Sequence, residues 1–172
     1  FFLGKSIDVY TLPDWETLPY DTFSPHEDII SERLQTLYHL PNLKAGILII
    51  TASTAMHRLP PMDYLRKYSF ILKKGDKLKI GDFRLRLEES GYRNVDSVTE
   101  HGDFAVRGSL FDLYPMGSSF PYRIDLLDTE IDSLRLFDPL TQRTIKVINE
   151  VRVLPAKEFP LDESGINLFK MN

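Results

Sequence analysis

The chain has 172 residues, of which 42% are hydrophobic, 12% aromatic and 27% charged. These proportions are typical of a folded globular protein and exclude a disordered chain or a collagen-like repeat. The longest purely apolar run, at 45–50, is far shorter than the roughly 20 residues of a membrane-spanning helix, so we expect no membrane segment. A net charge of −4 argues against a broad phosphate-binding surface.

The sequence contains none of the residue patterns that would indicate an enzyme. Cysteine is absent, which excludes disulfides and thiol nucleophiles and is consistent with a cytoplasmic location. The histidines lack the HExxH spacing of a zinc site, and neither GxxxxGK(S/T) nor GxSxG occurs. We therefore predict a chain without catalytic residues, cofactor or metal. Because it begins at Phe1 and not at Met, we expect a piece of a longer protein.

The first 68 residues begin with the pattern of a strand followed by a helix. The strand is predicted at 7–10, and Ser24, Pro25 and Glu27 then have the spacing of a capping box that starts a helix. Apolar positions recur at helical spacing until Pro41 ends the helix: Ile29, Ile30, Leu34, Leu37 and Tyr38.

A second strand and helix complete this first segment. Residues 46–50 form a continuous apolar run, typical of a strand buried on both faces of a parallel sheet. Ser53 is expected to cap a short helix, and a further helical turn is predicted near 62–65. The order predicts a parallel α/β layer with a right-handed crossover. Because two short strands do not make a stable sheet, we expect the remaining strands to lie outside this chain.

From about residue 69 the pattern changes to that of an α+β unit. A strand at 69–72, a turn at 73–76 and a helix at 80–90 are predicted, with Gly91 closing the helix and Phe83 and Leu87 on its inner face. Consecutive antiparallel strands are then predicted at 94–98, 103–114, 121–128, 131–137 and 143–153, and an amphipathic helix at 161–171. The predicted fold class is therefore α/β plus α+β, with a mixed or antiparallel sheet and one main helix in the second unit.

The strand near 121–128 carries the most informative surface pattern. Strict alternation places Tyr122, Ile124 and Leu126 on one face, and Arg123, Asp125 and Leu127 on the other. Arg107 lies near Arg123 if the strands at 103–114 and 121–128 pair. Arginines beside an exposed apolar side chain are typical of a protein-binding hot spot. The alternative is that each arginine pairs with a local carboxylate such as Asp125.

Two charged clusters have simpler interpretations. The lysines at 73–79 could contact phosphates, but a solvated turn beside a helix start explains them as well: Lys73, Lys74, Lys77 and Lys79. The acidic residues near 125–132 could divide acid and base roles, but they fit the solvated end of a hairpin: Asp125, Asp128, Glu130 and Asp132.

Several long runs resemble a known family. They are DWETLPYD at 14–21, FSPHEDIISER at 23–33, EHGDFAVRG at 100–108, DLYPMG at 112–117, PYR at 121–123 and the segment 128–135. These runs are similar to the N-terminal, UvrB-homologous module of the bacterial transcription-repair coupling factors (Mfd). The resemblance implies part of a first α/β domain at 1–68, an inserted second domain at 69–155, and a helical return to the first domain at 156–172.

The resemblance also implies a function in recruitment. The second domain would bind the excision-repair protein UvrA, through positions that fall on Arg107, Arg123 and Leu127, the last being aromatic in some members. The module would not be an enzyme, because the ATP- and magnesium-dependent motor and the regions contacting RNA polymerase and DNA would lie outside these residues. In intact relatives a C-terminal domain masks the UvrA-binding face. The expected location is the bacterial cytoplasm.

Two alternatives from other functional classes stay open. One is a UvrB-type damage-verifying subunit, although UvrB has a long aromatic hairpin after its first strand. Here the strand at 7–10 is followed by the predicted cap Ser24 after only 14 residues, which leaves no room for that hairpin. The other alternative is direct DNA contact through the lysines at 73–79.

Overall fold

The computed structural model describes residues 7–17 and 21–160, and its first segment is a small parallel layer. Strand β1 (Val9–Leu12) pairs in parallel with β2 (Ile47–Ile50), and α1 (Glu27–His39) and a 3₁₀ turn (Leu40–Asn42) make the crossover. Two further helices follow: α2 (Ala52–Ala55) and α3 (Met62–Tyr68). The predicted strand, helix, strand, helix order is thus confirmed.

The caps of the first two helices differ from the prediction. His26, not Ser24, caps α1: its backbone is extended, its Nδ1 accepts the Asp28 N–H at 3.3 Å, and its carbonyl accepts the first helical bond from Ile29. Thr51, not Ser53, caps α2 by accepting the Thr54 N–H at 3.1 Å. In both cases the N-cap is the residue with an extended backbone immediately before the helix.

Strand β2 is not buried on both faces. Its four apolar side chains are between 36% and 56% exposed. Within the described residues the sheet consists of β1 and β2 alone, so β2 has no second neighbouring strand. The prediction of a doubly buried strand is therefore wrong for this chain, although the parallel pairing on which it was based is correct.

The second segment is the predicted α+β unit. Strand β3 (Phe70–Lys73) precedes α4 (Ile80–Glu89) and pairs antiparallel with the last strand of the unit. The chain between these two strands forms a six-stranded sheet, in which the strands follow one another in sequence order: β4 (Arg93–Asn94), β5 (Asp103–Arg107), β6 (Leu110–Leu113), β7 (Tyr122–Leu127), β8 (Glu130–Phe137) and β9 (Thr144–Ile148). The partner of β3 is β10 (Glu150–Val153).

Three predicted strands have different bounds. The strand at 103–114 breaks into β5 and β6, because Gly108 adopts φ 62° and makes a two-residue hairpin loop. The strand at 143–153 divides into β9 and β10, which belong to different sheets. The strand at 94–98 shrinks to β4, which runs parallel to β5, whereas the other neighbours in the six-stranded sheet are antiparallel.

The main core extends from the first segment into the space between α4 and one face of the six-stranded sheet, called here the inner face. Phe83 of α4 lies 4.8 Å from Phe111, and Phe111 stacks on Phe104 at 5.6 Å. A second, smaller cluster covers part of the opposite, outer face: Val98, Ala105, Tyr114 and Phe137, joined by Val95.

A buried ion pair ties the first segment to residues that follow β10. Arg33 and Glu158 meet at 2.8 Å with side chains 0% and 3% exposed, and Trp15 donates its Nε1 hydrogen to Glu158 at 2.9 Å. The proposed boundaries at 69 and 155 stay a prediction, and the helix predicted at 161–171 lies outside the described residues. No helix in the described parts of the chain is long and apolar enough to cross a bilayer.

Candidate protein-binding site

The three predicted site residues lie on the outer face of the six-stranded sheet. Arg107 ends β5, while Arg123 and Leu127 lie four residues apart on β7. Asp112 of β6 is directly opposite Arg123 in the register, and Ala105 is its neighbour on the other side. Because side chains alternate along each strand, all of these residues point away from α4. The structure therefore brings the predicted residues to one face.

Asp112 holds both arginines together. Its side chain is 1% exposed, and it accepts two hydrogen bonds from Arg123, from Nε at 2.7 Å and from Nη2 at 2.8 Å. Arg107 also donates from Nη2 to Asp112. These bonds raise the pKa of the Arg123 guanidinium above its usual value, against the opposing effect of partial burial. A buried carboxylate requires such partners, since an unpaired charge in this position would be costly.

The three side chains differ in how far they reach the solvent. Arg107 is 49% exposed and Leu127 is 74% exposed, but Arg123 is only 16% exposed. Arg123 lies on the outer face but is largely covered, because it pairs with Asp112 on the neighbouring strand. The alternative partner, Asp125, instead pairs with Arg135 at 3.0 Å.

Phe137 and Gln142 hold the Arg123 side chain in place on the outer face. Its guanidinium carbon lies 4.6 Å from the centre of the Phe137 ring, a cation–π distance. Gln142 accepts from Arg123 through its backbone carbonyl and its side-chain oxygen, both at 3.4 Å, and donates to the Val98 carbonyl at 3.2 Å. Arg123 is thus a rigid part of the surface.

Sequence reasoning missed Asp112, Phe137 and Gln142. A signal for Asp112 was present, because it is a single carboxylate within the apolar run of β6 and needs a basic partner when buried. Gln142 gave no comparable signal, since its role depends on the shape of the loop after β8, where it adopts φ 59°.

The two charged clusters are exposed. Lys73 is 59% exposed and lies 3.3 Å from Glu150, and the other lysines of the run are exposed beside the turn. That these lysines contact DNA stays a prediction. Asp128, Glu130 and Asp132 are exposed around the β7–β8 turn, consistent with a solvated hairpin end. In the described part of the chain, no three His, Asp or Glu side chains are placed to hold a metal ion.

The second segment matches a known family over nearly all of its length. Residues 70–159 match the model of the UvrB interaction domain, and this region contains Arg107, Asp112, Arg123 and Leu127. The chain belongs to the UvrB interaction domain family. The matched family is that of an interaction domain and not of a catalytic motor.

The similarity to known proteins also covers the first segment of the chain, which precedes the UvrB interaction domain. The transcription-repair-coupling factor of Haemophilus influenzae is 56% identical over 166 residues, which are 96% of this chain and 14% of that protein. That of Escherichia coli is 52% identical over 162 residues, 94% of this chain and 14% of that protein. That of Bacillus subtilis is 33% identical over 131 residues, 76% of this chain and 11% of that protein.

These matches confirm the resemblance to the transcription-repair coupling factors. The sequence corresponds to a small segment of such a factor, since it spans 14% of the length of the Haemophilus and Escherichia proteins. The similarity includes both the parallel layer and the UvrB interaction domain, because it covers 96% of the chain in the first case.

Proposed function

We propose that this chain binds the excision-repair protein UvrA through the outer face of its six-stranded sheet. The observation that carries the proposal is that Arg107, Arg123 and Leu127 lie on one face of the sheet, with both arginines bonded to the buried carboxylate of Asp112, within the region that matches the UvrB interaction domain. The contact would recruit UvrA to lesions where RNA polymerase has stalled.

The chemistry of the face suits a protein partner with a carboxylate. Arg107, Asp112 and Arg123 together carry one net positive charge, and Arg107 is half exposed, so it retains donors for an incoming acidic group. Leu127 offers an apolar contact that a partner would bury. Arginine is among the residues enriched at binding hot spots.

Arg123 has a different part in the proposed contact. Its bonds to Asp112 fix its position, so binding would not have to order a long flexible side chain. The exposed part of its guanidinium would meet the partner beside Arg107, since both arginines bond to Asp112.

The remaining functions would belong to other parts of the parent protein. We propose that ATP and magnesium are bound by motor domains outside this chain, which also contact DNA and RNA polymerase. The C-terminal domain of the parent would cover the same outer face until UvrA is required. In this scheme the present chain is a non-enzymatic docking module.

Calorimetric titration of UvrA into this chain tests the proposal. Arg107→Gln and Leu127→Ser should each weaken binding by about tenfold or more, the effect expected of hot-spot residues. Matched controls lie on α4, behind the opposite face of the sheet: Arg84→Gln, with a side chain 51% exposed, and Leu85→Ser, 59% exposed. Both controls should bind UvrA as the unmodified chain does. Unchanged binding by both outer-face variants would exclude this site.

Testing Arg123 requires a more conservative substitution, because its side chain is bonded to buried Asp112. Arg123→Glu would place a second carboxylate beside buried Asp112, so lost binding could reflect lost folding. Arg123→Lys keeps the charge but not the two-bond geometry. We expect weaker UvrA binding with a small change in the urea midpoint of unfolding, both measured on the same sample.

A further inference from the structure

Strand β9 forms one edge of the six-stranded sheet and carries two exposed apolar side chains. Ile145 is 50% exposed and Val147 is 64% exposed. Val147 pairs with Arg135 of β8, which pairs in turn with Arg123 of β7, so these three residues lie in one row across the outer face. Ile145, the extra residue of a bulge in β9, is two positions from Val147 and by alternation lies on the same side of the strand. The edge strand therefore continues the face that carries the candidate site.

The exposure of these two side chains differs from that of the outer-face cluster. Val98 is 0% exposed and packs with Ala105 and Phe137, so that part of the face is covered by the chain itself. Ile145 and Val147 keep half or more of their surface in water. A partner that covered them would gain the free energy of burying apolar surface.

Arg135 lies between the candidate site and Val147 and has hydrogen-bond donors to spare. Its side chain is 29% exposed, and its Nη2 donates to Asp125 at 3.0 Å. In the described part of the chain its Nε, although buried, has no acceptor. Arg123, in contrast, uses both Nε and Nη2 on Asp112. Because a guanidinium carries five N–H donors, Arg135 retains some for an acidic group of a partner.

The size of a typical protein interface matches the width of this face. Neighbouring strands lie about 4.8 Å apart, so Arg107 on β5 and Val147 on β9 are separated by four spacings, or about 19 Å. A standard interface buries about 800 Å² on each partner, which corresponds to a patch about 30 Å across. A partner that contacts Arg107, Arg123 and Leu127 would therefore reach β9.

We propose that Arg135, Ile145 and Val147 are a second part of the UvrA contact, so that UvrA covers the outer face from β5 to the edge strand β9. This inference rests on the proposed function and adds the chemistry of the partner surface. UvrA would place apolar side chains on Ile145 and Val147 and an acidic group on Arg135. The apolar contacts would exclude water from the charged groups beside them, as the surroundings of a hot spot do.

Calorimetric titration of UvrA into the Ile145→Thr/Val147→Thr double variant tests the apolar part. Threonine keeps the β-branched shape that suits a strand but makes the surface polar. UvrA affinity should fall by about fivefold or more, because less apolar surface is buried. The matched control is Val9→Thr/Ile71→Thr, at strand positions 47% and 45% exposed in the other two sheets. It should bind UvrA as the unmodified chain does.

Arg135→Gln tests the polar part. Its partner Asp125 is 35% exposed, so water can replace the lost bond and the fold should be retained. UvrA binding should weaken by about threefold or more, whereas Arg84→Gln on α4 should leave it unchanged.

Comparison with Leu127→Ser separates this inference from the proposed function. Weakened binding by Leu127→Ser, with unchanged binding by the double variant and by Arg135→Gln, would overturn the inference and leave the proposed site on β5 and β7 in place. Unchanged binding by Leu127→Ser and Arg107→Gln as well would overturn both.

Cross-saturation NMR on the unmodified chain gives a readout that does not depend on the folding of a variant. The chain is deuterated except at its methyl groups, and the protons of added UvrA are saturated. The methyl signals of Leu127, Ile145 and Val147 should lose intensity, while those of Val9 and Ile71 should keep it. A loss at Leu127 without a loss at Ile145 and Val147 would show that the contact ends before β9.

Discussion

Asp112 and Arg123 lie directly opposite each other on β6 and β7, and two hydrogen bonds of 2.7 and 2.8 Å join their side chains. Asp112 also accepts from Arg107, so one buried carboxylate organises both arginines of the candidate site. The stability of this face and the geometry of the candidate site therefore both depend on Asp112.

Asp112→Ala should therefore destabilise the chain. The substitution leaves Arg123, which is only 16% exposed, beside Arg107 without a negative partner. Removing one member of a buried pair costs about 3 kcal/mol or more in free energy of unfolding. Urea unfolding at 25 °C measures this loss, and Asp112→Asn should lose less, because an amide oxygen still accepts one of the bonds.

Asp125→Ala is the control for that measurement. Asp125 pairs with Arg135 on the same face, but these side chains are 35% and 29% exposed, so water can replace the lost partner. The expected loss is below about 1 kcal/mol. Equal losses for Asp112→Ala and Asp125→Ala would show that burial of Asp112 does not govern the stability of this face.

The sequence allowed the outward face of β7 to be predicted. Side chains alternate by geometry along any strand, so the positions of Arg123, Asp125 and Leu127 follow once Ile124 is assigned to the core. The partner of Arg123 could not be predicted in the same way. It depends on where 103–114 turns back, and this is decided by the positive φ of Gly108, which places Asp112 opposite Arg123.

Other errors had the same origin, namely contacts between residues far apart in sequence. Strand β10 does not join the six-stranded sheet but pairs with β3, across most of the length of the second segment. Strand β2 is exposed because, within the described residues, β1 is its one neighbouring strand. Helix α4 was predicted closely, because Phe83, Leu87 and Gly91 are local signals of its buried face and its end.

Glu158→Ala should separate the first segment from the residues after β10. It leaves the guanidinium of Arg33, which is 0% exposed, without its carboxylate, and the expected cost is about 3–5 kcal/mol. Trp15 is the single tryptophan and donates to Glu158, so its emission should also shift to longer wavelength as water enters. Fluorescence-monitored urea unfolding measures both effects.

The exposed pair of Arg84 and Glu88 on α4 is the control for Glu158. Its side chains are 51% and 38% exposed and four residues apart on the helix. Glu88→Ala should cost less than about 0.5 kcal/mol. A cost for Glu158→Ala no greater than this would contradict a structural role for the buried pair.

Asp138 should make the loop that supports Gln142 sensitive to acid. Its carboxylate accepts the backbone N–H of Thr141 at 2.7 Å and of Leu140 at 3.0 Å, and these bonds lower its pKa below the usual 3.8. The contribution to stability is therefore present above pH 3.8 and is lost as the pH falls through the lower pKa of the folded state.

Thermal unfolding of the unmodified chain and of Asp138→Asn between pH 5 and pH 2.5 tests this sign. The advantage of the carboxylate over the amide should shrink as the pH falls, because protonation removes the charge that strengthens the bonds. Melting temperatures that stay a constant distance apart over this range would show that the ionised form is not favoured by folding.

Two glycines, one at each end of α4, should respond in opposite directions to replacement by alanine. Gly91 adopts φ 93° after α4, and a β-carbon there would lie 2.7 Å from the Lys157 side chain, so Gly91→Ala should cost about 1–2 kcal/mol. Gly81 lies within the first turn of α4 with nothing within 4 Å of a β-carbon, so Gly81→Ala should stabilise the chain by about 0.5 kcal/mol. Urea unfolding of both variants measures the difference, and a stabilised Gly91→Ala would mean that the backbone at the end of α4 relaxes out of the left-handed region.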